Sequence, residues 1–282
     1  MKTWQLLARA ETRKARAVFK NSPGSPGWLS SDKLYEISPL AGGKPLIAAD
    51  PDILMRSGRE KADYLLKLVT SEKIIKYLEL GCWDGMVCCE LQNRGKSTTA
   101  IDNRAAGFDE RAQIAGVVFI EADASYLSFE DETFDFVFSF ASFEHFHEPE
   151  SVFKEAIRVV KPGGYIYLTI GPLYMSPWGL HVEKKIRLPY VQLLFQPEVL
   201  QCFADKNKLG TIDFCNVNGW SVDNYRLLWE KYSNQLKTIM YYEIPNVSHL
   251  EYIIKHAPCF KSKTENFDNL VVESIEILLR KL

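Results

Sequence analysis

The chain has 282 residues, 46% of them hydrophobic and 25% charged, with a net charge of −2. These are ordinary globular proportions, and the length allows one large domain or one domain with a substantial insertion. The near-neutral balance gives no bias towards nucleic acid or an anionic membrane surface, and no apolar run reaches the roughly 18 residues of a membrane span.

Residues 1–20 predict a helix with Trp4, Leu7, Ala8, Ala15, Val18 and Phe19 as its apolar positions. Lys2, Arg9, Arg13, Lys14, Arg16 and Lys20 make it basic against a single acid, Glu11, and it reads as a solvated helix packed on the domain. It lacks the apolar core of a secretory signal, so a cytoplasmic location is expected. The stretch Asn21-Ser22-Pro23-Gly24-Ser25-Pro26-Gly27 breaks the helix, and Trp28 to Arg56 reads as loop-rich.

From residue 58 to about 171 the pattern alternates between helix and strand. A helical segment, Glu60 to Val69, precedes a strand at 74–80 and a helix at 86–93, and apolar runs follow at 98–101, 117–120, 134–140 and 164–170. A clear helix spans Pro149 to Val160 and stops at Lys161-Pro162-Gly163-Gly164. Strands alternating with helices predict an α/β fold, a Rossmann-like, doubly wound, mostly parallel sheet of seven strands.

Beyond residue 171 helices are expected at 196–207, 222–236 and 248–257, with strand-like runs at 211–215, 238–244 and 270–279. The expected organisation is an N-terminal helical extension at 1–57 and a sheet domain at 58–282, with a helical cap inserted at about 172–260. Trp220 and the pair Tyr241-Tyr242 are read as packing residues. The six cysteines, at 82, 88, 89, 202, 215 and 259, contain no Cys-x-x-Cys pair and read as reduced, mostly buried thiols, with no zinc site.

The most informative segment is Glu79-Leu80-Gly81-Cys82-Trp83-Asp84-Gly85, a glycine turn between a strand and a helix. Open α/β sheets build nucleotide pockets at such a turn. Here the bulky Trp83 stands where a pyrophosphate binder needs a glycine, and Glu79 and Asp84 would repel a diphosphate at the helix N-terminus. The loop therefore suits a nucleoside without phosphates that carries positive charge, as S-adenosylmethionine does, and a nicotinamide oxidoreductase is disfavoured. Asp102, which closes the second strand 21 residues after Gly81, can accept hydrogen bonds from ribose hydroxyls. Asp123, after the third strand, can accept from the amine of adenine while the next backbone N–H donates to its ring.

These residues resemble the class I S-adenosylmethionine-dependent methyltransferases, of the type 11 methyltransferase domain group, over about residues 74 to 171. The resemblance rests on the glycine turn, Ile101-Asp102, Glu121-Ala122-Asp123-Ala124, Phe134-Asp135-Phe136-Val137 and Arg158-Val159-Val160-Lys161-Pro162-Gly163-Gly164. It implies that Glu79, Gly81, Cys82, Trp83 and Gly85 hold the methionine part of the cofactor, Asp102 the ribose, and Asp123 with Ala124 the adenine, with Asn103 also a cofactor residue. It also places the loop Ser142 to His145 beside the methyl-bearing sulfur, which adds Ser142 to the cofactor residues.

Methyl transfer is an in-line displacement, so alignment supplies much of the acceleration, and an oxygen or nitrogen nucleophile also needs a nearby base. His145, and His181 in Gly171-Pro172-Leu173-Tyr174-Met175-Ser176-Pro177-Trp178-Gly179-Leu180-His181, are the two candidates. Tyr174, Trp178 and Arg187 are the candidate acceptor contacts. His145-x-His147 has a metal-like spacing, but nothing in the sequence completes such a site, so no metal is expected. The expected activity is transfer of a methyl group to an oxygen, less readily a nitrogen, of a small-molecule, sugar or glycan-type acceptor. The alternative is a non-catalytic cofactor-binding module acting through a protein partner. No nucleic-acid partner and no transmembrane segment are expected, and a homodimer is left open.

Overall fold

The computed structural model describes residues 3–38 and 50–282, with side chains from residue 9 onward. Its elements begin with α1 (Thr3–Asn21), α2 (Ser31–Ile37), α3 (Pro51–Leu68), β1 (Lys76–Leu80) and α4 (Met86–Asn93). They continue with β2 (Ser97–Asp102), α5 (Glu110–Ile114), β3 (Val118–Glu121), β4 (Phe134–Phe140), α6 (Pro149–Val159) and β5 (Val160–Ile170). The rest are α7 (Val191–Leu194), α8 (Pro197–Lys206), α9 (Val222–Lys231), β6 (Leu236–Pro245), α10 (Leu250–Lys255), α11 (Ala257–Lys261), α12 (Asp268–Val271) and β7 (Val272–Lys281).

The strands form one seven-stranded sheet in the order β3-β2-β1-β4-β5-β7-β6, with β1, β2, β3, β4 and β5 paired in parallel. This is the expected Rossmann-like sheet. The order reverses direction at β1 and β4, and ligands of open α/β sheets bind at such a switch point. β1 is buried from Tyr77 to Leu80, and β4 from Phe136 to Ser139, as strands covered on both faces require. Tyr77 stacks on Phe136 at 5.3 Å between ring centroids.

Two compact units divide the described residues: one takes 3–38, 171–226 and 243–275, the other 50–170, 227–242 and 276–282. In the second unit, Asp135 latches the starts of two strands, β1 and β5. Its Oδ2 accepts the N–H groups of Ile75 and Lys76 at 2.9 and 2.8 Å, and its Oδ1 pairs with Lys161 Nζ at 2.6 Å. Gly164 lies so close to Asp135 that a Cβ would meet its carbonyl oxygen at 2.8 Å. The Asp135 and Lys161-Pro162-Gly163-Gly164 motifs thus tie β1, β4 and β5 together. The first unit has its own core, which includes Ala15 and Phe19 of α1, Leu34 of α2, Phe195, Leu200 and Phe260. Arg16 pairs with Asp268 at 2.9 Å, so α1 is packed as expected.

Several expectations need correction. The Trp28–Arg56 region holds α2, whose N-cap Ser30 accepts from Lys33 N, and the start of α3, capped by Asp50 with Pro51 following. Residues 211–215 form no strand; Ile212 N donates instead to Gln201 Oε1 at 2.9 Å. The expected contacts of Lys2, Trp4, Leu7 and Ala8, and residues 39–49 of the loop-rich region, lie outside what is described. Four cysteines are buried, while Cys202 and Cys215 are exposed. Trp220 packs against Tyr225 at 5.1 Å. No described helix is long and apolar enough to cross a membrane.

Candidate functional site

The glycine turn is held by its neighbours on both sides. Gly81 N and Cys82 N both donate to the Ile101 carbonyl at the end of β2, at 2.8 and 3.0 Å. Ser142, in the loop after β4, donates to the Gly81 carbonyl at 2.8 Å. Ser139 donates to the Leu80 carbonyl at 2.8 Å. Gly81, Trp83 and Gly85 have φ of 72°, 44° and 70°, three left-handed residues in five, which turn the chain from β1 into α4. A tryptophan in that region costs roughly 1–2 kcal/mol. One compensation is visible: Trp83 N donates to Asp102 Oδ2 at 2.9 Å.

The segment after β2 folds back over this turn. Asp109 N donates to the Asp84 carbonyl at 3.0 Å. A Cβ on Gly85 would meet the Phe108 ring at 2.3 Å, and one on Gly107 would meet the Trp83 indole nitrogen at 2.8 Å. Each glycine therefore seats the other segment's aromatic ring. The Phe108 ring closes over the N-cap of α4, where a phosphate would otherwise bind. This strengthens the argument against a dinucleotide, and the sequence reading had missed it.

Glu79 ends β1 with only 3% of its surface exposed, and its Oε2 has no hydrogen-bond partner among the described residues. Burial pushes its carboxyl up to about 8; a hydrogen bond with Cys88 and the nearby Lys61 ammonium oppose this, and Asp84 adds to it. Burial likewise raises Asp84, opposed by the Met86 N–H and Lys61. An unmade hydrogen bond on a buried carboxylate is costly, and a cationic donor at that oxygen would remove the cost.

The remaining predicted residues take varied places. Asp102 is half-buried and also accepts from Arg104 N at 3.2 Å, while Asn103 is exposed beside it. Asp123 is exposed and accepts from Ser125 N at 2.8 Å; Ala124 is buried. Two further predicted cofactor residues, Cys82 and Ser142, are held by the protein itself. The Cys82 thiol is buried in the sheet core and raised by that burial, so Cys82 can offer a ligand only its backbone. The Ser142 hydroxyl donates to the Gly81 carbonyl and keeps its acceptor lone pairs.

His145 sits half-buried in a short 3₁₀ turn after β4, its N–H bonded to the Ser142 carbonyl at 2.9 Å. In the other unit, His181 has a φ of 59° and its Nε2 lies 3.3 Å from the Pro172 carbonyl, which favours the tautomer protonated there. Tyr174 is half-buried, with its phenol raised by burial. Trp178 is half-buried edge-on to His249 at 5.3 Å, and Arg187 is exposed.

The family model described as "Methyltransferase domain" matches residues 78–168, the span from the glycine turn to β5. This segment is a class I methyltransferase domain. The chain is 35% identical over 109 residues to a fatty-acid O-methyltransferase of Mycolicibacterium smegmatis, covering 36% of this chain and 39% of that protein. It is 29% identical over 136 residues to a ubiquinone biosynthesis O-methyltransferase of Pseudomonas fluorescens, covering 40% and 59%. The chain thus spans less than two thirds of the length of these relatives. A solved protein from Pyrococcus horikoshii OT3 is 19% identical with a TM-score of 0.49, covering 89% of this chain and 99% of that one, and adds nothing to the strand order.

S-adenosylmethionine is the cofactor of such a methyltransferase domain, and the residues present fit it. The orphaned Glu79 oxygen suits an ammonium. The Phe108 ring over Gly85 excludes phosphate but leaves the edge between Glu79, Asp102 and Asp123, at the ends of β1 and β2 and just past β3, for a phosphate-free adenosyl group.

Proposed function

We propose that the protein is an S-adenosylmethionine-dependent methyltransferase that acts on an oxygen, less readily a nitrogen, of a small-molecule, sugar or glycan-type acceptor. The observation that carries this reading is the buried Glu79 carboxyl whose Oε2 has no partner beside the glycine turn. The bound cofactor supplies an electrophilic methyl group. The chain's residues bind and align it: Glu79 takes the ammonium, the turn from Gly81 through Trp83 to Gly85 lies along the methionine arm, Asp102 and Asn103 face the ribose, and Asp123 and Ala124 face the adenine. His145 or His181 removes the acceptor's proton, and Tyr174, Trp178 and Arg187 contact the acceptor. An oxygen acceptor agrees with the relatives named for fatty-acid, ubiquinone-pathway and malonyl-[acyl-carrier protein] O-methylation.

The test is incubation with methyl-labelled cofactor and fractionated metabolites, followed by identification of the labelled product. Labelled product from the wild type, lowered about 100-fold or more by His145→Ala or His181→Ala but not by both equally, is expected for a single general base. Cofactor binding without product from any fraction would favour the non-catalytic module.

A further inference from the structure

Between Arg9 and Lys20, α1 carries five basic residues against one acid, although the whole chain is near neutral. Arg9, Arg13, Arg16 and Lys20 follow one another at steps of four, three and four residues, which puts them in one row along the helix. At 1.5 Å of rise per residue the row is about 16 Å long. All four side chains are exposed, and the one acid, Glu11, lies on the far side of the helix from them.

The row is held in place by the packing of the first unit. Ala15 and Phe19, on another face of α1, are buried in its core, and the helix packs along α10 and α11. Arg16 anchors the row: it pairs with Asp268 at 2.9 Å, and its guanidinium lies 4.6 Å from the centroid of the Phe267 ring. Two lysines of the neighbouring segment add nothing to the row, since Lys261 pairs with Glu265 and Lys263 turns to the Gly27 carbonyl. Arg9, Arg13 and Lys20 make no ion pair among the described residues. Like charges four residues apart weaken a helix, and an anionic surface would remove that cost.

What lies beside the cations selects the partner. Their exposed neighbours Ala10 and Ala17 are small, and no large apolar side chain is exposed between Arg9 and Asn21. Protein interfaces are anchored by large side chains in desolvated pockets, and single-stranded nucleic acid by stacking aromatics. A convex row of charge with neither suits a fluid anionic surface, whose headgroups can gather under it. We propose that α1 is an electrostatic docking site for an anionic phospholipid surface, with Arg9, Arg13 and Lys20 facing the headgroups. The helix lies on that surface and inserts nothing, because its apolar residues are already packed. The proposal is independent of the cofactor reading.

The test is sedimentation of the full chain with two kinds of vesicle, phosphatidylcholine alone and phosphatidylcholine with an equal part of phosphatidylglycerol. Binding to the anionic vesicles only, lost in high salt, is expected. Arg9→Ala, Arg13→Ala and Lys20→Ala combined should weaken partitioning about 100-fold, at roughly fivefold per cation, with the melting temperature kept. Arg9→Lys with Arg13→Lys keeps the charge and should bind as the wild type does. Lys73→Ala, Lys184→Ala and Lys237→Ala combined removes the same charge from exposed positions elsewhere and should leave binding nearly unchanged. Equal binding to both vesicles, binding to neither, or an equal loss in the two triple variants would overturn the proposal. So would tighter binding, at the same salt, to duplex DNA or to polyglutamate, which would assign the row to nucleic acid or to an acidic protein.

Discussion

The Ser142 hydroxyl donates to the Gly81 carbonyl at 2.8 Å, and a Cβ on Gly81 would sit 2.5 Å from the Ser142 Cβ. The loop after β4 is therefore locked onto the turn after β1, and the candidate cofactor site exists only while the two are in register. Gly81→Ala meets this contact and also forces alanine into a φ of 72°. It is expected to lower unfolding stability by about 2–4 kcal/mol. Adding Ser142→Gly removes the clash but not the backbone strain, so denaturant unfolding should recover part of the loss, leaving roughly 1 kcal/mol.

Glu79 predicts a pH dependence. Its folded value of about 8 lies above the ordinary 4.5, so the protonated form is the one favoured in the ligand-free protein. The stability it contributes is fully present below about 4.5 and declines as pH rises through 8. Glu79→Gln should flatten that decline in a series of thermal melts. Binding of a cationic ligand favours the ionised form, so calorimetry at pH 7 in buffers of different ionisation enthalpy should detect proton release in the wild type and not in Glu79→Gln.

Glu150 has the opposite sign. Lys231 first, then Tyr232, hold its carboxyl down at about 2. The stability from this cluster is present above the ordinary 4.5 and is lost as pH falls towards 2. The group is partly solvated, so Glu150→Gln should cost only about 0.5–1 kcal/mol at pH 7, and the difference from wild type should vanish below pH 2.

The sheet was largely legible in the sequence because its signals are local. α4 begins where the last glycine of the turn ends, and α6 begins on Pro149 with its buried positions spaced for one face. The start of α3 was missed because its cap, Asp50 before Pro51, follows a segment with no apolar period. At 211–215 the apolar residues had no neighbouring strand to pair with. In the site, Glu79, Gly81, Gly85 and Asp102 could be read because each sits at a strand end or turn that the pattern itself marks. Phe108 could not. Its place over Gly85 depends on how the chain after β2 folds back, and that crossing is not marked by a motif. Where α3 crosses α4, Gly58 inside an otherwise regular helix was the one available signal of close approach.

The proposed function requires that the edge formed by Glu79, Asp102 and Asp123 hold an adenosyl amino acid. The most direct test is titration of S-adenosylhomocysteine into the wild type and Asp102→Ala, followed by calorimetry. Saturable binding at millimolar or tighter affinity is expected, weakened by about 1–3 kcal/mol in Asp102→Ala. No binding heat from the wild type, or the same affinity in the variant, would contradict it.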